Sequence, residues 1–264
     1  MTVRFVGAGP GAADLITLRA ASLLAAADVV LYPGTYLDAD VLSHCRADAR
    51  LVDTQGLDLD AILAHLHEAE RAGHDVVRLV SGDPSLYSAL AEQGRRLDEA
   101  GVAWEVVPGV PSYAAAAALV GRELTVPLVA QSVVLTRAQA RSTAMPERES
   151  LERFAATGAT LALHLAVTRT REVMATLEPE YGADCPVVVV FRASQPGELV
   201  LRGTVGDIAA AVEAAGLRQA AVILVGRALD PRAGGPEGMG ESWLYSATRD
   251  RAAGGSGGGG GDGP

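Results

Sequence analysis

Short apolar runs alternate with segments of helical period along most of this chain. Residues 3–6, 29–31, 76–80 and 104–107 read as strands. Residues 15–26, 59–72, 85–100 and 111–120 read as helices; in the second, Ile62, Leu63 and Leu66 recur at helical spacing behind Asp60. Strands this apolar between helices predict a mainly parallel sheet covered on both faces. Leu124-Thr-Val-Pro127 breaks the rhythm, and a second alternating set follows. Its strands are expected at 132–136, 160–165, 187–192, 199–204 and 220–225, with helices near 149–156, 168–177 and 207–215. Arg192-Ala-Ser-Gln-Pro-Gly197, between two of those strands, predicts a hairpin. The fold class expected is α/β: two α/β domains, 1–124 and 125–230, with an active-site cleft between them. Over 231–264 periodicity fades into a glycine-rich tail whose composition predicts disorder.

Composition narrows the function. The 264 residues carry a formal charge of −10, which argues against general affinity for nucleic acid or anionic membrane. Every basic residue is Arg, a bias attributable to genomic base composition. A local Arg cluster on an acidic protein still suits a small anionic substrate. Cys45 and Cys185 lack metal-ligand spacing and predict a reduced, structural pair. The five histidines share no spacing that suggests a metal site, and none is expected. The chain opens on a strand and has no apolar run of membrane length, so it reads as cytoplasmic.

The densest chemical signal is Ser81-Gly82-Asp83-Pro84, where a strand runs into a turn. Gly82 permits a sharp turn and close ligand approach, and Pro84 suits a first helical turn. A pocket at the carboxyl end of a parallel strand is built in this way; the plain alternative makes Asp83 an N-cap for the helix that follows. Gly7-Ala-Gly9-Pro-Gly11 invites a dinucleotide reading with Asp28 as the ribose acid. The third glycine of that fingerprint falls on Ala12, however, and Pro10 removes an amide from the phosphate cradle.

Four blocks together resemble the tetrapyrrole methylases. They are Val6-Gly-Ala-Gly-Pro-Gly11 with Asp14-Leu-Ile-Thr-Leu18, Arg78-Leu-Val-Ser-Gly-Asp-Pro-Ser-Leu-Tyr87, Glu105-Val-Val-Pro-Gly-Val110, and Ala220-Ala-Val-Ile-Leu-Val-Gly226. They stand in the family's order and cover the chain from residue 3 to about 228. Arg122-Glu-Leu-Thr-Val-Pro127 with Gln131-Ser-Val-Val-Leu-Thr-Arg137, Pro146-Glu-Arg-Glu149 and Val189-Val-Phe-Arg-Ala-Ser194 are similar to the branch that acts on precorrin-4 or its cobalt form. In contrast to that branch, Pro111 replaces a Ser, Ser88 a common Gly, and residues 140–145 are a looser version of a Gly-Arg-Thr-Pro stretch.

The resemblance implies methyl transfer from S-adenosyl-L-methionine to ring carbon 11 of precorrin-4 or cobalt-precorrin-4, in cobalamin biosynthesis, by a homodimer. It implies that Pro10, Ser81, Gly82, Asp83, Leu86, Pro111, Ser112, Leu165, Ala193 and Ala221 bind the cofactor, with plain core packing the alternative for Leu86, Leu165 and Ala221. A macrocycle carrying several carboxylates calls for arginines, and Arg137 and Arg192 are the substrate candidates beside Tyr87. No general base is named. The rival readings are a sibling methylase acting at another ring carbon, a nucleotide-dependent oxidoreductase, and a non-catalytic tetrapyrrole carrier.

Overall fold

The computed structural model describes residues 2–138 and 144–233. The 140–145 motif falls partly, and the glycine-rich tail almost wholly, outside the described residues.

The first sheet is fully parallel, in the order β3-β2-β4-β1-β5, from β1 (Val3–Gly7), β2 (Val29–Tyr32), β3 (Arg50–Asp53), β4 (Val76–Val80) and β5 (Trp104–Val107). Strand alternation sorts its side chains. Phe5, Leu31, Val76 and Val80 face α2 (Leu59–Arg71) and α3 (Leu90–Glu99). Val6, Val30, Val77 and Leu79 pack on the other face, with Leu24 of α1 (Leu18–Ala26). β4 is buried along its whole length, as a strand covered on both sides must be. Thr17 caps α1, its side chain accepting from the amide of Ala20 at 3.1 Å.

The second sheet runs β6-β7-β10-β8-β9, from β6 (Val133–Arg137), β7 (Thr160–His164), β8 (Pro186–Phe191), β9 (Leu199–Thr204) and β10 (Ala221–Val225). Only β6 and β7 are parallel; β10 runs antiparallel to both neighbours, and β8–β9 form the expected hairpin. One face carries α5 (Leu151–Ala155), α6 (Thr170–Tyr181) and α7 (Ile208–Ala214). The other receives α4 (Ser112–Val120), whose Ala115, Ala116 and Val120 pack on Ala162, Val188, Val190 and Leu224. The Ala-rich helix that follows the first sheet is thereby seated on the second.

Sequence and structure part at three places. β3 is a further strand, with mostly exposed residues at a sheet edge and little apolar signal. The segment 13–17 is a 3-10 turn and a cap rather than the start of α1. The helix expected from residue 85 begins at Leu90; Tyr87 and Ala89 have φ of 53° and 55°, incompatible with helix. Among the described residues no helix is long and apolar enough to cross a membrane.

Candidate active-site cleft

β4, β1 and β5 lie side by side, so their carboxyl ends deliver three loops to one place. The loop after β1 bridges that after β4: the Gly82 amide donates to the Gly9 carbonyl at 2.8 Å, and the Gly9 amide to the Gly82 carbonyl at 3.2 Å. The loop after β5 is fastened by Asp83, whose Oδ2 accepts from the Gly109 amide at 2.8 Å. Its Oδ1 accepts from the Ser85 amide at 2.8 Å and from the Ser85 hydroxyl. Partial burial works against the charge of Asp83, but these donors outweigh it and hold the carboxyl below its ordinary range. Asp83 therefore clamps loops and caps no helix.

Close approach explains the glycines. A Cβ on Gly109 would lie 2.2 Å from the Gly82 carbonyl oxygen, and one on Gly7 2.5 Å from Gly109. Gly82 differs: its φ is +69°, and a Cβ there would meet nothing nearer than Pro111 and Ser112 at 3.7 Å, leaving an open cradle.

The second sheet closes the site. Gln195, in the β8–β9 loop, donates to the Pro10 carbonyl at 2.8 Å, and Ser194 accepts from the Ala12 amide at 3.2 Å. With the Ala12 amide bonded to Ser194, and those of Ala8 and Gly9 to Val80 and Gly82, three of the loop amides that could meet a dinucleotide phosphate are already engaged. Asp28 is likewise engaged: it accepts from Arg46 and from the Asp75 amide, each at 2.8 Å, at the opposite end of the strands. Both halves of the dinucleotide reading thus find groups already spent within the protein.

Between the two sheets lies a cleft of about 610 Å³, within the range of small-molecule sites. Pro10, Ser81, Gly82, Asp83, Leu86, Pro111, Ser112, Leu165, Ala193 and Ala221 all line it, as do Tyr87 and Arg192. Arg137 does not. It ends β6 in register with His164, near enough for its charge to act on the Tyr87 hydroxyl. The hydroxyl is raised above its ordinary range by burial, with Arg137 working against and Glu149 with that shift. Pro111 stands at the start of α4, which opens without a side-chain cap.

Several lining residues carry no chemical signal of their own in the sequence, although Arg78 opens one of the four family blocks. Arg78 is buried in the middle of β4, and desolvation lowers its guanidinium to about 10, so it remains charged at neutral pH. His164 ends β7 with its ring 5.4 Å from that of Tyr87. Its Nε2 is sealed from solvent with no hydrogen-bond partner among the described residues, and burial lowers its pKa, favouring the neutral ring. Tyr36, Ser88, Thr168, Gln195, Arg218 and Gln219 add to the polar lining. A lone Arg in an apolar strand and isolated histidines form no pattern along the chain.

Comparison with known proteins agrees with this geometry. The family model for tetrapyrrole (corrin/porphyrin) methylases matches residues 2–209. A precorrin-4 C(11)-methyltransferase of Rhodococcus erythropolis is 55% identical over 251 residues, 95% of this chain and 99% of that protein. The crystal structure of a cobalamin biosynthetic enzyme, cobalt precorrin-4 methyltransferase, superposes with a TM-score of 0.84 at 42% identity, covering 87% of this chain and 96% of the other. A uroporphyrin-III C-methyltransferase of Thermus thermophilus, in complex with S-adenosyl homocysteine, gives 0.72 at 30% identity, covering 87% and 99%.

Proposed function

Because this chain belongs to the tetrapyrrole methylase family, we propose that its cleft binds S-adenosylmethionine beside a precorrin and directs methyl transfer to ring carbon 11 of precorrin-4 or cobalt-precorrin-4. The observation that carries this reading is the meeting of three glycine-bearing loops with the β8–β9 loop around one cleft. The open cradle at Gly82, beside the uncapped start of α4, supports a fit to the cofactor.

When bound, S-adenosylmethionine would supply its sulfonium methyl to an electron-rich ring carbon, the new carbon–carbon bond forming as the sulfur–methyl bond breaks and S-adenosylhomocysteine leaves with that electron pair. The protein's part is alignment and exclusion of water, and alignment contributes roughly 7 to 11 kcal/mol in well-oriented intramolecular reactions. The turn of Ser81, Gly82 and Asp83 receives the cofactor in the open space at Gly82, with Pro10, Pro111 and Ser112 beside them and Leu86 packing on it. Leu165, Ala193 and Ala221 meet it from the second sheet. Asp83 keeps its loops in register by holding Gly109 and Ser85. Tyr87 and Arg192 face the macrocycle. Arg137, near enough for its charge to act on Tyr87, is the further arginine proposed for a substrate carboxylate. The working enzyme is taken as a cytoplasmic homodimer, as the resemblance implies.

The test is turnover of precorrin-4 with methyl-labelled S-adenosylmethionine, the labelled carbon being read by NMR. A new methyl at carbon 11 is expected. Label at another carbon makes the protein a sibling methylase. No transfer with either precorrin-4 or its cobalt form, by protein that binds no S-adenosylhomocysteine, overturns the reading.

A further inference from the structure

Arg78 poses an electrostatic problem that no other described residue resolves. It is 8% exposed, in a strand whose neighbours Val76, Val77, Leu79 and Val80 are all buried. A buried guanidinium is costly unless a counter-charge compensates it. Elsewhere arginines find one: Arg227 holds Asp184 at 2.8 Å, Arg171 holds Glu213 at 2.6 Å, and Arg4 holds Glu105 at 2.7 Å. The sequence has 32 acidic residues, yet among the described residues none lies within ion-pair distance of Arg78.

Its partners are neutral. Nη1 donates to the Thr54 hydroxyl and to the Leu79 carbonyl, each at 3.1 Å, and Nε reaches Gln93 at 3.5 Å. Those bonds fix the plane of the fork. Nη2 donates to no group among the described residues, and it is not among the sealed, partnerless atoms, which here are represented by His164 Nε2 alone. Arg78 lines the cleft, and Nη2, with no acceptor among the described residues, is left to a molecule bound there. A fixed, charged donor facing a cavity in an acidic protein is arranged for an anion.

We propose that Arg78 is the buried anion anchor of this site and receives a carboxylate of the bound reactants. This rests on the methyltransferase reading, in which two carboxylate sources exist: the amino-acid end of the cofactor and the periphery of the macrocycle. The guanidinium touches no reacting atom; it sets the depth and orientation of the molecule it holds.

The test uses full-length Arg78→Gln, with Arg78→Lys in reserve should the first not fold. Calorimetry compares S-adenosylhomocysteine with 5′-methylthioadenosine, which lacks the amino-acid carboxylate, and kinetics gives KM and kcat for precorrin-4. A hydrogen bond to a charged group corresponds to a loss of about 10- to 100-fold. Loss of that size for S-adenosylhomocysteine alone, with methylthioadenosine retained, assigns the cofactor carboxylate. A KM raised as much, with kcat and cofactor affinity retained, assigns a macrocycle carboxylate. Unchanged affinities and KM overturn the proposal, and so does an equal fall for both nucleosides, which marks a merely structural role. Failure of the wild-type protein to bind S-adenosylhomocysteine or to methylate any precorrin would instead remove the methyltransferase reading.

Discussion

Gly82 and Gly109 look alike as residues in two short motifs, yet the fold asks different things of them. At Gly109 the demand is steric, since a Cβ would lie 2.2 Å from the Gly82 carbonyl oxygen and 2.8 Å from the Gly7 Cα. At Gly82 it is conformational, with φ +69° and open space beyond. Gly109→Ala should therefore cost about 3 kcal/mol or more, because backbone must move. Gly82→Ala should cost about 1–2 kcal/mol, the left-handed penalty of an L-residue, while placing a methyl in the proposed cofactor cradle. Urea denaturation measures the first difference and S-adenosylhomocysteine calorimetry the second; equal destabilisation by the two would contradict this account. His164 makes a second residue-scale prediction. Its folded pKa lies below the ordinary 6.5, so the unfolded chain takes up its proton first as pH falls. Stability held above about pH 6.5 is lost as pH drops from there through the folded value, at about 1.4 kcal/mol per unit of depression. Thermal melts of wild type and His164→Phe at pH 7.5 and 5 should show the larger loss in wild type, and parallel losses would count against a buried neutral ring.

Elements are legible where local pattern decides them and illegible where a distant contact does. α2 was visible from Ile62, Leu63 and Leu66, and the β8–β9 hairpin from its Pro-Gly turn, because each signal lies within one element. The start of α3 was not. Asp83 and Pro84 are sound helix-opening residues, but Asp83 is drawn to Gly109, twenty-six positions away, and the chain reaches Leu90 through two left-handed residues. A tertiary bond outweighed a local propensity there. The β8–β9 loop offers a test at this scale. Gln195 reaches Pro10 across the cleft, joining elements 185 residues apart. Gln195→Ala should leave overall stability within about 1.5 kcal/mol of wild type, one hydrogen bond's worth. The loss should appear instead as a roughly 2- to 10-fold weaker S-adenosylhomocysteine affinity, since the loop closes the site. An unchanged affinity would show that the loop does not act on the cofactor.

At the scale of the whole molecule, the sequence by itself determined the alternation of strands and helices, two successive α/β sets, and the loops that carry the chemistry. Those follow from periodicity and from residues with unusual backbone freedom, properties that a chain carries locally. The family resemblance, resting on motif order, brought the residues of the cleft lining into view before any contact was known. Only the tertiary structure decided that β4 lies between β1 and β2, so that loops about seventy residues apart in sequence become neighbours. It also decided that the second sheet is mostly antiparallel, that Arg137 ends β6 beside His164, and that Arg78 and His164 line the cleft. The physical reason is that a buried charge or a sealed ring nitrogen is defined by what surrounds it, and those surroundings come from segments the local pattern does not connect.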